Sequence, residues 1–448
     1  MKQVQKKSAD KAVNAMLIQA KRSGTELAWD RAETQQPQCG FGRLSLCCTD
    51  CNDGPCRSNP FGDREPATAC GRNRTDLENS RFLRKVSDGV AALAILAAGY
   101  GGKMNPQVGS AILTDDDMSG MANMAGQLKG LGASAAEALK SINAVKATLA
   151  IEKCPSMDVN LGALRAEGPN ILVYGHVSPQ TVKDLLKNVA QSPSGITVLG
   201  ACGAEGEGVL PIATNYVSQE TPLLTGAVDL VLVGPQCVMP ATISLAVEKG
   251  IPVVYEKNIR TQADIQGVID QAVVAFQSRS GKPFSIPAER SALQNSSRKN
   301  GEDWAQTIVQ QTVMSNGRGI AFLGGCGRIG ATQDKAFVAS AEKLMQEGWR
   351  VVTAGCAGAA LAKAGLCRDG KVVYLGSCHD AGLFLELAQA AEAGKINTCA
   401  IFQEITHNKV LATAVAFAVN GVQTRIDQGD APCPAEAGCG GFLTAVEN

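Results

Sequence analysis

The 448-residue chain is short of three things: net charge, long apolar runs and aromatic side chains. Lys+Arg and Asp+Glu balance at 42 each, so neither a basic surface for nucleic acid nor a polybasic membrane anchor is expected. The longest apolar stretch, residues 90–100, is well below the roughly 20 residues that span a bilayer. The opening run MKQVQKKSADKAVNAMLIQAKR is basic and amphipathic, without the apolar core or small-residue cleavage site of a secretory signal. A cytoplasmic location is expected. Aromatics make up 4% of the chain, and Gly and Ala are abundant, a composition that lets helices approach closely.

What the chain has in excess is cysteine, 16 of them. With no secretory signal, metal or redox chemistry explains so many thiols better than disulfides do. Six donors stand just after short apolar β-like runs: His176, Cys202, Cys237, Cys326, Cys356 and Cys378. In an open α/β sheet the carboxyl ends of the strands converge on one crevice, so these donors are expected to form a single metal-cluster cage. Thiolates favour iron–sulfur clusters and other soft centres over hard cations.

The organisation supports two such sheets. Residues 1–38 read as one amphipathic helix, residues 39–80 as a Cys/Gly/Pro-rich segment too polar to hold its own core, and residues 81–160 as helical. Beyond Pro169 the runs ILVYG, ITVLGA, LVLVG and IPVVY alternate with helical stretches, the pattern of parallel βαβ units. A polar stretch at 291–303 reads as a linker, and IAFLGG, VVTAG, VVYLG and CAIF form a second series. The expected architecture is α/β: a helical, cysteine-bearing region over 1–160, with the cysteine segment at 39–70, then Rossmann-like domains over 161–300 and 301–448.

Cys48, Cys51, Cys56 and Cys70 are spaced C-x2-C-x4-C-x13-C. Such a loop wraps a [4Fe-4S] cubane; four cysteines also suit tetrahedral zinc. Cys39 and Cys47, just upstream, are two thiolates, half of what a cubane needs. Two copies across a two-fold axis would complete one; the other readings are spare buried cysteines or ligands of a mononuclear site.

The run CGFGRLSLCCTDCNDGPCRSNPFG (39–62) resembles the cluster segment of anaerobic nickel–iron carbon monoxide dehydrogenases. NLGALRAEGPNILVYGH (160–176), LPIATNYVSQE (210–220), VGPQCVMP (233–240) and LGSCHD (375–380) resemble the same family in the same order. That family belongs with the hybrid-cluster (prismane) proteins. This chain is shorter than the typical enzyme, with the loss in the helical region after residue 85.

The resemblance implies a homodimer in which Cys39 and Cys47 hold a [4Fe-4S] or [2Fe-2S] cluster shared between subunits, and Cys48, Cys51, Cys56 and Cys70 a [4Fe-4S] cluster in each. His176, Cys202, Cys237, Cys326, Cys356 and Cys378 would ligate a nickel–iron–sulfur centre, and Lys409 would hydrogen-bond a bound CO2-like species. The implied activity is reversible oxidation of CO with water, with electrons passed to a ferredoxin-like carrier.

Two departures accompany it. ACGAEGE offers Cys202 followed by Gly203 where the family usually has adjacent cysteines, so an ungapped alignment puts glycine at the ligand position. The stretch VSDGVAALAILAAGYGG lacks the family's acid–base histidine; of the three histidines, His176, His379 and His407, His379 directly follows Cys378 and is the candidate substitute. Without that base and with less helical cover, two other readings stand beside CO chemistry. One is a reductase of another small molecule such as hydroxylamine. The other is a CO or redox sensor, or an electron carrier, without turnover.

Overall fold

In the computed structural model the described residues are 6–43, 46–57, 68–102, 121–149, 156–202, 209–279, 281–294, 304–427 and 442–443. The amino-terminal region contains α1 (Lys11–Ser23), α2 (Ala28–Thr34), the single turn α3 (Gly40–Arg43) and a two-stranded ribbon, β1 (Cys47–Cys48) with β2 (Cys56–Arg57). Two long helices follow, α4 (Arg74–Gly99) and α5 (Met121–Thr148). The single helix expected over residues 1–38 is therefore two. Gly24, at φ 68°, ends α1 in the left-handed conformation, and α2 starts afresh after Leu27.

Next come β3 (Ser156–Val159), β4 (Asn170–Tyr174), α6 (Pro179–Gln191), β5 (Thr197–Gly200), β6 (Leu230–Val233), α7 (Pro240–Glu248), β7 (Val253–Tyr255), α8 (Gln262–Arg279) and β8 (Ser291–Gln294). Strands β4 to β7 form a parallel sheet in the order β5-β4-β6-β7. All five residues of β4 are buried, as expected of a parallel strand covered on both faces.

The expected linker is corrected in its first part: Ser291–Gln294 is β8, paired antiparallel with β3. Its partner β3 in turn lies at the end of a region expected to be wholly helical. Residues 295–303 lie outside the described set.

The last part of the chain runs α9 (Trp304–Met314), β9 (Gly319–Gly324), α10 (Lys335–Gln346), β10 (Trp349–Thr353), α11 (Gly355–Lys363), β11 (Val372–Tyr374), α12 (Leu383–Ala393), β12 (Asn397–Gln403), α13 (Asn408–Val419), β13 (Gln423–Asp427) and β14 (Phe442–Leu443). The second sheet has the order β11-β10-β9-β12-β13-β14, parallel except for β14. The expected α/β class, with parallel sheets behind a cysteine-rich segment, is the class observed.

The amino-terminal helices share their cores with the sheets. Ala12, Val13, Met16 and Ala20 of α1 pack with Leu223 and Leu224 and with β4 and β6 residues, whereas α4 and α5 bury Val86, Val90, Leu131 and Leu139 in the same cluster as α13. Part of the scarce aromatic complement is concentrated there: Phe322, Phe384, Phe402 and Phe417 lie with ring centroids 5.1–5.4 Å apart. Such contacts add about 0.5–1.5 kcal/mol each beyond area burial. A Cβ on Gly89 of α4 would fall 2.1 Å from the Asn408 carbonyl oxygen, so this glycine sets how closely α4 crosses the start of α13.

Candidate metal centre

Strand order reverses once in each sheet, and the reversals place the donors. In the first sheet it lies between β4 and β6, whose carboxyl ends lead to His176 and Cys237, while Cys202 follows β5. In the second it lies between β9 and β12, with Cys326 after β9 and Lys409 in the first turn of α13 after β12. Open α/β sheets bind ligands at such switch points. Cys356 lies within the first turn of α11 rather than in a loop, and Cys378 opens a short 3₁₀ turn, Cys378–Gly382.

Local backbone bonding fixes these ends. The His176 N–H donates to the Pro235 carbonyl at 2.8 Å, and Gly175 N–H to the Cys202 carbonyl at 2.7 Å. Gln236 and Cys237 both take positive φ, 59° and 55°, where L-residues cost roughly 1–2 kcal/mol each. Gln219 holds that turn: its Oε1 accepts from Met239 N–H at 2.8 Å and Thr242 Oγ1 at 3.0 Å. The Gln219 carbonyl accepts from Tyr174 OH at 2.7 Å. At Gly355, φ 63°, a Cβ would lie 2.7 Å from the Cys378 Cβ, so glycine lets the α11 and β11 ends meet.

Cys202, Cys237, Cys326, Cys356 and Cys378 thus line one narrow cavity with Tyr216, His407 and Lys409. None of the five is in a disulfide. Cys202, the residue in doubt from its glycine neighbour, is fully buried and packs with Cys237 and Cys356; residues 203–208 lie outside the described set. His176 Nε2 stands 3.7 Å from Cys378 Sγ and contacts Lys409 Nζ. Lys409 also donates to Cys237 Sγ at 3.0 Å and Gln236 Oε1 at 3.1 Å.

Burial and mutual proximity set the charge states. Burial pushes Cys326 up to about 12 and Cys202 well above the ordinary thiol range. Cys237 goes the other way, held well below that range first by a hydrogen bond from Cys202 and then by the Lys409 charge and a hydrogen bond with His176. Burial opposes the Lys409 charge, but Cys237 and Cys378 outweigh it and hold the ammonium above its usual value. His176 is lowered to about 4, chiefly by burial and then by Lys409, and is neutral at pH 7. Neutral imidazole and crowded thiols are donors suited to a soft or borderline metal. The Nδ1 atoms of His176 and His379, both buried, have no hydrogen-bond partner. The donor set fits a metal–sulfur group.

His379 lies 2% exposed beside His176, with ring centroids 4.9 Å apart. Sequence reasoning passed over three residues here: Ser377, which contacts His379, and Asp380 and Lys146, which connect to it through Ser377. Ser377 Oγ is 2.8 Å from His379 Nε2 and donates to Asp380 Oδ2 at 2.8 Å. Lys146, from α5, pairs with Asp380 at 2.6 Å. Ser377 and Asp380 flank the Cys378–His379 pair and were legible in principle; Lys146 resembles any helix-surface lysine. Tyr100, after α4, donates to the His176 carbonyl at 3.3 Å.

The amino-terminal cysteines occupy a separate place. Cys48 and Cys56 are cross-strand partners in the β1–β2 ribbon; Cys48 is buried, Cys47 and Cys56 half-buried, and Cys39, Cys51 and Cys70 exposed. Backbone N–H groups of Gly42 and Phe41 hold the Cys39 thiol below its usual range, and the Thr68 hydroxyl does the same for Cys70. Asp50, between Cys48 and Cys51, pairs with Arg72 at 2.9 Å and Arg84 at 2.7 Å, tying the loop to α4. Cys154, Cys433 and Cys439 lie outside the described residues.

The profile of the Prismane/CO dehydrogenase family matches residues 107–427. Carbon monoxide dehydrogenase 1 of Carboxydothermus hydrogenoformans is 27% identical, over 81% of this chain and 76% of its own. Carbon monoxide dehydrogenase 2 of that organism is 25% identical over 94% of this chain and 90% of its own. The latter alignment runs to 576 positions, more than this chain has residues, so the relative carries segments that are absent here. The solved structure of carbon monoxide dehydrogenase IV from the same organism superposes with a TM-score of 0.80 at 22% identity, covering 96% of this chain and 93% of that one, which shows a shared fold.

Proposed function

The chain belongs to the Prismane/CO dehydrogenase family, and on that premise we propose that it is a carbon monoxide dehydrogenase-like oxidoreductase. The reaction is CO + H2O giving CO2, two protons and two electrons, or its reverse. The observation that carries this reading is the convergence of five thiols and Lys409 on one cavity, with His176 set against Lys409 and Cys378. His176, Cys202, Cys237, Cys326, Cys356 and Cys378 would hold a nickel–iron–sulfur group. When bound, such a group supplies a carbon-binding metal, a water-activating metal and a store for two electrons.

The chain's own residues do the rest. Lys409, buried and cationic, stands where negative charge would accumulate on substrate oxygen and stabilises it without reorganisation. Tyr216 and Val410 line the same cavity beside the thiols. His379 sets a second imidazole, neutral because burial lowers it well below its usual range, beside His176.

Cys48, Cys51, Cys56 and Cys70 would hold one [4Fe-4S] cluster. Exposed Cys39 and half-buried Cys47 suit a cluster shared across a homodimer, with electrons leaving to a ferredoxin-type carrier. Among the described residues no helix is long and apolar enough to cross a membrane, in keeping with a cytoplasmic enzyme.

Metal analysis with CO-dependent dye reduction, under strict anaerobiosis, tests the assignment. Nickel together with CO-dependent turnover is the expected result. Iron without nickel, with hydroxylamine reduction instead, would replace it with the reductase reading. A full cluster complement without turnover would leave a sensor or carrier.

A further inference from the structure

We propose that Lys146 is a positioning residue of the centre: paired with Asp380, it fixes the Cys378–Gly382 turn and, through the turn, the Cys378 thiol. The inference rests on the cage reading above for the role of Cys378.

Of the five cavity thiols Cys378 is the least enclosed. It is half-buried, whereas Cys202, Cys237, Cys326 and Cys356 are buried. It opens a short 3₁₀ turn just after Gly376, at φ 125°, so neither deep burial nor a long element holds the sulfur in place.

What the turn has instead is α5. Leu139, Asn143 and Lys146 are spaced four and three residues apart and share one face of that helix. A Cβ on Gly382 would fall 2.7 Å from Asn143 Nδ2 and 2.8 Å from Leu139 Cβ, so the end of the turn lies directly against this face. Further along the same face, Lys146 Nζ donates to Asp380 Oδ1 at 2.6 Å. The other carboxylate oxygen, Oδ2, accepts from Ser377 Oγ at 2.8 Å, and the Asp380 N–H donates to the Ser377 carbonyl at 2.9 Å. Bonds from both sides of Cys378 thus close on Asp380, and the ammonium ties that closure to α5.

The pair is enclosed: the Lys146 and Asp380 side chains are 7% and 3% exposed. A buried ion pair gains little stability over apolar groups of the same size, because both charges give up water. What it supplies is direction, since a short charge-assisted hydrogen bond holds its partners in a narrow geometry. Removing one member is costly because the other charge stays buried alone.

That difference between stability and direction is what the test reads. Anaerobic, cluster-loaded full-length protein is compared with Lys146→Met and with Lys146→Met/Asp380→Asn. The measurements are the electron paramagnetic resonance signal of the interior group, metal retention against a chelator, and thermal melts. Lys146→Met should melt lower, shift the interior signal and weaken retention about 10–100-fold, with the signal of the ribbon cluster unchanged. The double variant leaves no charge alone, so it should regain most of the melting temperature while the shifted signal and weakened retention persist.

Recovery of signal and retention along with the melting temperature in the double variant overturns this proposal, because the pair would then act through stability alone. So does a Lys146→Met protein that melts lower with its interior signal and retention unchanged. Either result spares the cage. An unmodified protein that holds no metal–sulfur group in the cavity overturns both.

Discussion

Two groups of cysteines in this chain solve the same problem in opposite ways. Cys48, Cys51, Cys56 and Cys70 are neighbours in sequence, on or beside a two-stranded ribbon, and two of the four, Cys51 and Cys70, are exposed. Cys202, Cys237, Cys326, Cys356 and Cys378 are spread over 177 positions, yet they meet because two parallel sheets each deliver strand ends to a switch point. In the first group the metal would organise the chain; in the second the chain is already organised for the metal. Proximity in sequence therefore goes with dependence on metal for local structure, and separation in sequence with a fold that stands without it.

The sharpest test of the preorganised group is Lys409→Ala. Its ammonium contacts His176 and Cys237 inside the cavity, so its loss should lower kcat for CO oxidation about 100- to 1000-fold, the scale for removing a buried stabilising group. Iron content at both groups should stay unchanged, measured by metal analysis beside the kinetics. A drop in iron at the ribbon would mean that the two regions are not independent.

Chelation of metal addresses the contrast directly. Hydrogen exchange after anaerobic metal removal should show residues 46–57 losing protection almost entirely, with local opening free energies near zero. Amides of β9 and β12, in the core of the second sheet, should keep theirs to within about tenfold. Equal loss in both regions would break the comparison.

Gly355→Ala tests the packing that makes the interior group possible. The substitution puts a Cβ 2.7 Å from the Cys378 Cβ at a positive φ, and should cost about 1–3 kcal/mol of stability. Thermal melts would register that cost, and Cys378 would shift enough to reduce metal retention in the cavity. The ribbon should be untouched.

This contrast also explains what the sequence could reveal. The ribbon's spacing, C-x2-C-x4-C-x13-C, was visible because one short segment carries all of it. The interior donors were visible because each follows an apolar run, and parallel strands put such positions on one edge. The Lys146–Asp380 pair was not visible: its members lie 234 positions apart, and only the packing of α5 beside the Cys378–Gly382 turn joins them. The break at Gly24 was hidden by an apolar periodicity that continues into α2. The β3–β8 ribbon was hidden because four-residue strands with a partner more than 130 positions away leave almost no local signal.

The smallest expected effect separates the interior fold's own cost from its metal. Glu404 follows β12 at φ 49°, its carbonyl accepting from the Cys326 N–H at 3.3 Å. Burial raises its carboxyl to about 7, against the opposing pull of the Arg328 backbone N–H and charge. Between the unfolded value near 4.3 and about 7 the folded protein binds more protons than the unfolded chain. Stability from this group is thus full below pH 4 and lost as pH rises toward 7. Glu404→Gln removes the penalty, which partial exposure keeps to about 1–2 kcal/mol. The variant should melt about 1–3 °C above the unmodified protein at pH 8 and lose that advantage near pH 4.5, in scans at equal metal content. An advantage that persists at low pH would assign the effect to amide hydrogen bonding and leave the carboxylate without a role.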